Sequence, residues 1–74
     1  MVEFRIKVNK QQRLTYMPKA IVDAMGLEFK LVANRAAIIM YPKNTAIKDV
    51  VKSLQILLQD FEHAQEMEEA SKNE

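Results

Sequence analysis

Apolar and polar positions alternate over residues 2–8: Phe4, Ile6 and Val8 fall on one side, Glu3, Arg5 and Lys7 on the other. A period of two predicts a half-buried antiparallel strand. Asn9 to Arg13 is wholly polar and predicts a turn, here without glycine. Leu14 to Met17 is apolar, β-branched or aromatic and predicts a second strand, antiparallel to the first. Pro18 cannot donate to a sheet ladder, so this strand stops there, and its fixed φ suits the first turn of a helix over 18–25. Ile21, Val22, Met25 and Leu27 recur at roughly helical spacing, and Gly26 suits a left-handed C-cap.

Two β-rich runs follow, FKLVA over 29–33 and AAIIMY over 36–41. They predict a hairpin with Asn34-Arg35 at the centre of its turn, because Asn tolerates positive φ. Pro42 closes the second run, and Asn44 or Thr45 is placed to cap the next helix, without the Glu or Gln of a capping box. Residues 46–70 carry the longest helical pattern. Ile47, Val51, Leu54, Leu58 and Phe61 step by 4, 3, 4 and 3, the spacing of a coiled-coil seam, and Val50 and Leu57 widen that stripe. These seven residues are the expected oligomerisation or partner-binding face. After Phe61 the chain turns acidic and polar, and its last few residues are expected to fray.

Two domains are expected: residues 1–44, and residues 45–74 as an amphipathic helix with an acidic tail. The second begins where the charge changes sign. Residues 1–44 hold eight Lys and Arg against three Asp and Glu, a net of +5; residues 45–74 hold three against seven, a net of −4. Such asymmetry points to a body that faces a polyanion, which the overall charge of +1 conceals. A dimer would bring about +10 to one surface, enough to matter for phosphate.

At 74 residues, about 40% of the unfolded chain's surface stays wet on folding, and domains this small are usually stapled. Cysteine is absent and His63 is the one histidine, so neither disulfides nor a metal site is expected. Oligomerisation remains as the source of stability. The longest apolar run, Ala36 to Tyr41, is six residues, and nothing resembles a signal peptide, which predicts a soluble, cytoplasmic protein with no membrane partner. The inventory also disfavours an enzyme. Ser53 is the one serine within the ordered part, no nucleophile has a base beside it, the carboxylates gather on the solvated tail, and one glycine makes no phosphate loop. No cofactor is expected. His63 lies among polar residues and reads as an exposed side chain.

The order of these parts resembles a known family. An alternating strand, a polar turn, LTYMPKAIVDAMGL over 14–27, and a second hairpin are similar to the AbrB-like swapped-hairpin domain, also called SpoVT/AbrB or looped-hinge-helix. Met17-Pro18-Lys19 and Met25-Gly26-Leu27 stand at its Ile-Pro-Lys and Leu-Gly-Leu positions, and the likeness spans roughly residues 3–42. It implies a mainly β fold with α: a homodimeric, intertwined swapped-hairpin β-barrel, here followed by a C-terminal α-helix. The function it implies is binding of duplex DNA, as a transcriptional regulator or an antitoxin. The family's contacts come from the first hairpin and the start of its helix, where this chain has Arg5, Lys7, Lys10, Arg13 and Lys19. Three positions differ: Arg13 stands at a common Gly, which predicts another type of first turn, Asp23 near a common basic residue, and Glu28-Phe29-Lys30 in place of a Gly-Asp pair.

The residues themselves point to the same partner. Arg5 and Lys7 share the polar face of the first strand, with Lys10 and Arg13 in the adjoining turn. Each cation that meets a phosphate steepens the salt dependence of binding by about 0.9 in log–log slope. Arginine reaches guanine edges, and Gln11 or Gln12 suits adenine. A phosphate is also suited to Lys19, beside the free N–H groups of a helix start. The competing reading is a solvated face that keeps an edge strand from aggregating.

The expected function is therefore a homodimeric DNA-binding transcriptional regulator, possible as a tetramer through the C-terminal helix. An antitoxin whose helix grips a toxin protein is the first alternative. An assembly or scaffold module that does not bind DNA is the second.

Overall fold

A computed structural model of the chain describes residues 2–72. The order of elements is α1 (Lys19–Met25), β1 (Phe29–Ala33), β2 (Ile38–Pro42) and α2 (Ile47–Lys72). This is an α+β fold with one two-stranded antiparallel sheet. Contacts divide it into two units, Val2–Asn44 and the segment from Thr45 onward. Positions 73 and 74, part of the tail expected to fray, lie outside the described residues.

The first hairpin departs from expectation. Neither 2–8 nor 14–17 forms a strand; they meet at one antiparallel bridge, Asn9↔Leu14. A lone two-stranded ribbon is marginal, and these legs have no third strand to continue their ladder. The turn between them is nonetheless well made. Asn9 N–H donates to the Leu14 carbonyl at 2.6 Å, and Arg13 N–H donates to the Asn9 carbonyl at 2.6 Å. The Asn9 side-chain Oδ1 accepts from Gln12 N–H at 3.0 Å. Arg13 takes φ 56°, the left-handed conformation that glycine adopts most easily. The turn thus keeps a glycine-type backbone at position 13, contrary to the change of type expected from the arginine.

Pro18 sits at the N-cap of α1 and its carbonyl accepts from Ile21 and Val22 N–H at 3.0 and 3.2 Å. The helix therefore starts one residue later than expected. Gly26 closes it, donating to the Val22 carbonyl at 2.9 Å. Its φ of 92° and ψ of −159° lie in a region open essentially to glycine alone, beyond the left-handed helical well expected for it.

In the second hairpin Phe29 faces Pro42 and Ala33 faces Ile38. The same register runs one pair further at each end. Lys43 N–H donates to the Glu28 carbonyl at 3.1 Å, and Asn34 N–H to the Ala37 carbonyl at 2.9 Å. The turn centre is therefore Arg35-Ala36, one residue later than Asn34-Arg35. Asn34 flanks it and its Oδ1 accepts from Arg35 N–H at 2.7 Å, which fits the preference of Asn for the first position of a β-turn.

The second helix runs 26 residues, about 39 Å. Ala46, whose carbonyl accepts from Asp49 and Val50 N–H, occupies the N-cap, so neither Asn44 nor Thr45 does. Asp49 in the first turn complements the helix dipole. With helices of 7 and 26 residues against two five-residue strands, one chain is more helical than the mainly β fold expected.

No side chain among the described residues is buried. Phe4, Ile6, Val8, Leu31, Val32 and Ile38 are all exposed. Opposed residues of an antiparallel pair share a face, so Phe29, Leu31, Ile38 and Met40 lie on one side of the sheet, with Val32, Ile39 and Tyr41 on the other. Both faces are apolar. A single copy thus displays the parts of a core without assembling one.

Candidate nucleic-acid interface

The basic side chains singled out in the sequence separate into two groups. Lys10, Gln11, Gln12 and Arg13 occupy the turn held by Asn9, and Arg5 and Lys7 lie on the leg that enters it; all six are exposed. Asn9 organises this loop with its backbone N–H, its carbonyl and its side-chain oxygen together. Four long polar side chains therefore project from a backbone that three hydrogen bonds constrain. Among the described residues, Arg5, Lys7, Lys10 and Arg13 form no ion pair with a carboxylate. Beside the turn lies an open recess of about 300 Å³ lined by Lys7, Asn9, Gln12, Leu14, Thr15 and Tyr16. Tyr16 is 97% exposed, so it does not serve as packing within one copy.

Lys19 behaves differently. Its Nζ lies 2.7 Å from Asp23 Oδ2, one helical turn away. The pair is solvent-exposed, worth about 0.3–0.5 kcal/mol, and locally cancels the lysine's charge. Asp23, which departs from the AbrB-like pattern in the sequence, is thus the partner of a proposed contact. With seven residues, α1 offers only a short dipole beside it. Sequence spacing of four on a helix is the signal for this pairing.

Lys43 is also paired, its Nζ 3.3 Å from Glu28 Oε2 at the open end of the second hairpin. That pair borders a larger recess of about 640 Å³ beside Gly26 and Pro42, remote in sequence from the basic turn. No cluster of three His, Asp or Glu side chains suited to a metal ion occurs among the described residues. No helix there is long and apolar enough to cross a membrane.

The seven residues of the expected partner face all lie on α2, where Ile47, Val51, Leu57, Leu58 and Phe61 are exposed and Val50 and Leu54 are half-buried. Compared with protein-family models, curated proteins and solved structures, the chain matches none.

Proposed function

We propose that the chain is a duplex-DNA-binding transcriptional regulator of the AbrB-like kind, acting as a homodimer at the nucleoid. The Asn9-centred turn is the observation that carries this reading. It holds Lys10, Gln11, Gln12 and Arg13 outward from a constrained backbone, next to Arg5 and Lys7, and among the described residues none of these cations is ion-paired with a carboxylate. Phosphate contacts from the lysines would set position, and Arg13, Gln11 and Gln12 suit base edges.

Dimerisation is supported by what one copy leaves uncovered. A two-stranded sheet apolar on both faces, in a chain whose first leg also exposes Phe4, Ile6 and Val8, needs a second layer to become stable. An intertwined swapped-hairpin barrel supplies it, with each sheet covered by its mate. It would also give the legs at 2–8 and 14–17 the ladder partners they lack.

The antitoxin alternative draws on the exposed stripe of α2 and the acidic stretch beyond Phe61, which suit a basic groove. A tail that folds only on a toxin is usually poor in large apolar residues. Here seven occur at helical spacing on a continuous 26-residue helix, which favours the regulator.

The decisive variant is Arg5→Ala with Arg13→Ala. Its secondary structure should match the parent by circular dichroism, and its salt dependence on duplex DNA should flatten by about 1.8 per chain. Unchanged affinity at low salt would remove this surface from the reading, and absence of binding by the parent would leave the scaffold alternative.

A further inference from the structure

We propose that α2 pairs antiparallel with α2 of a second copy of this chain, with Lys48 of each helix against Glu62 of the other. The proposal concerns residues outside the basic turn and does not rest on DNA binding. Val51, Leu58 and Phe61 are 46%, 57% and 58% exposed on a helix unbroken from Ile47 to Lys72, an apolar stripe with side chains open to a partner.

Charge identifies the occupant and its direction. Lys48, Gln55, Glu62 and Glu69 follow one another at seven-residue intervals along one edge of the stripe. Lys52, Gln59 and Glu66 form the next row outward. Each row therefore runs from basic to acidic along the helix. A parallel, in-register pair would set Gln55, Glu62 and Glu69 beside Val50, Leu57 and Ala64 of the other helix, so that no basic end would meet an acidic one. Reversing one helix sets basic ends against acidic ends instead.

The apolar layers agree with that reversal. When Val51 is level with Phe61 of the other helix, Leu54 is level with its Leu58, and each contact occurs twice by symmetry. Leu57 then meets its own copy close to the two-fold axis, and Val50 faces Ala64. Every layer from Val51 to Phe61 joins apolar to apolar, and the Lys48–Glu62 pair closes both ends. In a parallel pair, by contrast, Leu57 would flank Glu62. Ile56 lies on the outer side and takes no part.

Because the chain has no cysteine, single-cysteine variants of the full-length protein report the geometry. Gln55→Cys lies beside the proposed two-fold axis. Ile47→Cys stands 18 residues from the level of its own copy, about 27 Å along the axis. Both positions are exposed, and circular dichroism checks that each variant keeps its helix content. Treatment with a short-spacer bismaleimide should convert most Gln55→Cys chains to covalent dimers and leave Ile47→Cys uncoupled. Coupling through Ile47→Cys would show a parallel pair and overturn the proposal. Coupling through neither would show that a second α2 does not occupy this face, and would equally overturn it.

Discussion

Arg13 donates its backbone N–H to the carbonyl of Asn9 at 2.6 Å, in a left-handed conformation that arginine seldom adopts. This bond closes the loop that carries most of the proposed DNA contacts. The position demands glycine-like backbone, and the chain places a cation there instead. A left-handed residue other than glycine costs about 1–2 kcal/mol, so the arginine is retained against local preference. Under the proposed function, a charge required at the loop tip would account for that choice.

Backbone and charge at this position are separable. Arg13→Gly should raise thermal stability slightly, by about 0.5 kcal/mol, since it relieves the conformation but adds chain entropy. The same variant should weaken duplex binding. Thermal melts and binding isotherms read the two effects independently. A loss of stability would show that Arg13 is held by contacts other than the turn.

Gly26 gives a second conformational prediction. A Cβ built there meets nothing within 4 Å, yet its φ of 92° with ψ −159° is essentially closed to other residues. Gly26→Ala should therefore destabilise by about 1–3 kcal/mol through backbone strain alone. Chemical denaturation measures this directly, and a neutral result would mean that the end of α1 rearranges freely.

The Lys19–Asp23 pair predicts a gain of binding. Asp23→Ala frees Lys19 and removes a carboxylate from the basic unit, with about 0.5 kcal/mol or less lost in stability. If Lys19 reaches phosphate, the salt slope should steepen by about 0.9 per chain. An unchanged slope would restrict the interface to the first hairpin.

Much of the second half of the basic unit was legible from local chemistry. Pro18 and Gly26 bracket α1, and two β-rich runs ending at Pro42 make the 29–42 hairpin, because proline, glycine and turn signals act within a few residues. The hairpin centre lies one residue beyond the expected Asn34-Arg35, because Asn34 suits both a flanking and a central turn position. The strand expected over 2–8 shows the limit of such reading. Its alternation records a face to be covered, and one copy contains nothing that covers Phe4, Ile6 and Val8. Of the candidate site, the residue types and the i,i+4 spacing of Lys19 and Asp23 were readable, whereas the Asn9 hydrogen bonds depend on three-dimensional arrangement.

The most direct test of the central claim is fluorescence-anisotropy binding of the full chain to a mixed-sequence duplex, titrated across salt. A homodimer presenting Arg5, Lys7, Lys10 and Arg13 from both copies should give a log–log slope of several units, up to about 7 if every one of these cations meets a phosphate. Absence of binding even at low salt would contradict the account and leave α2 as the functional surface of the chain.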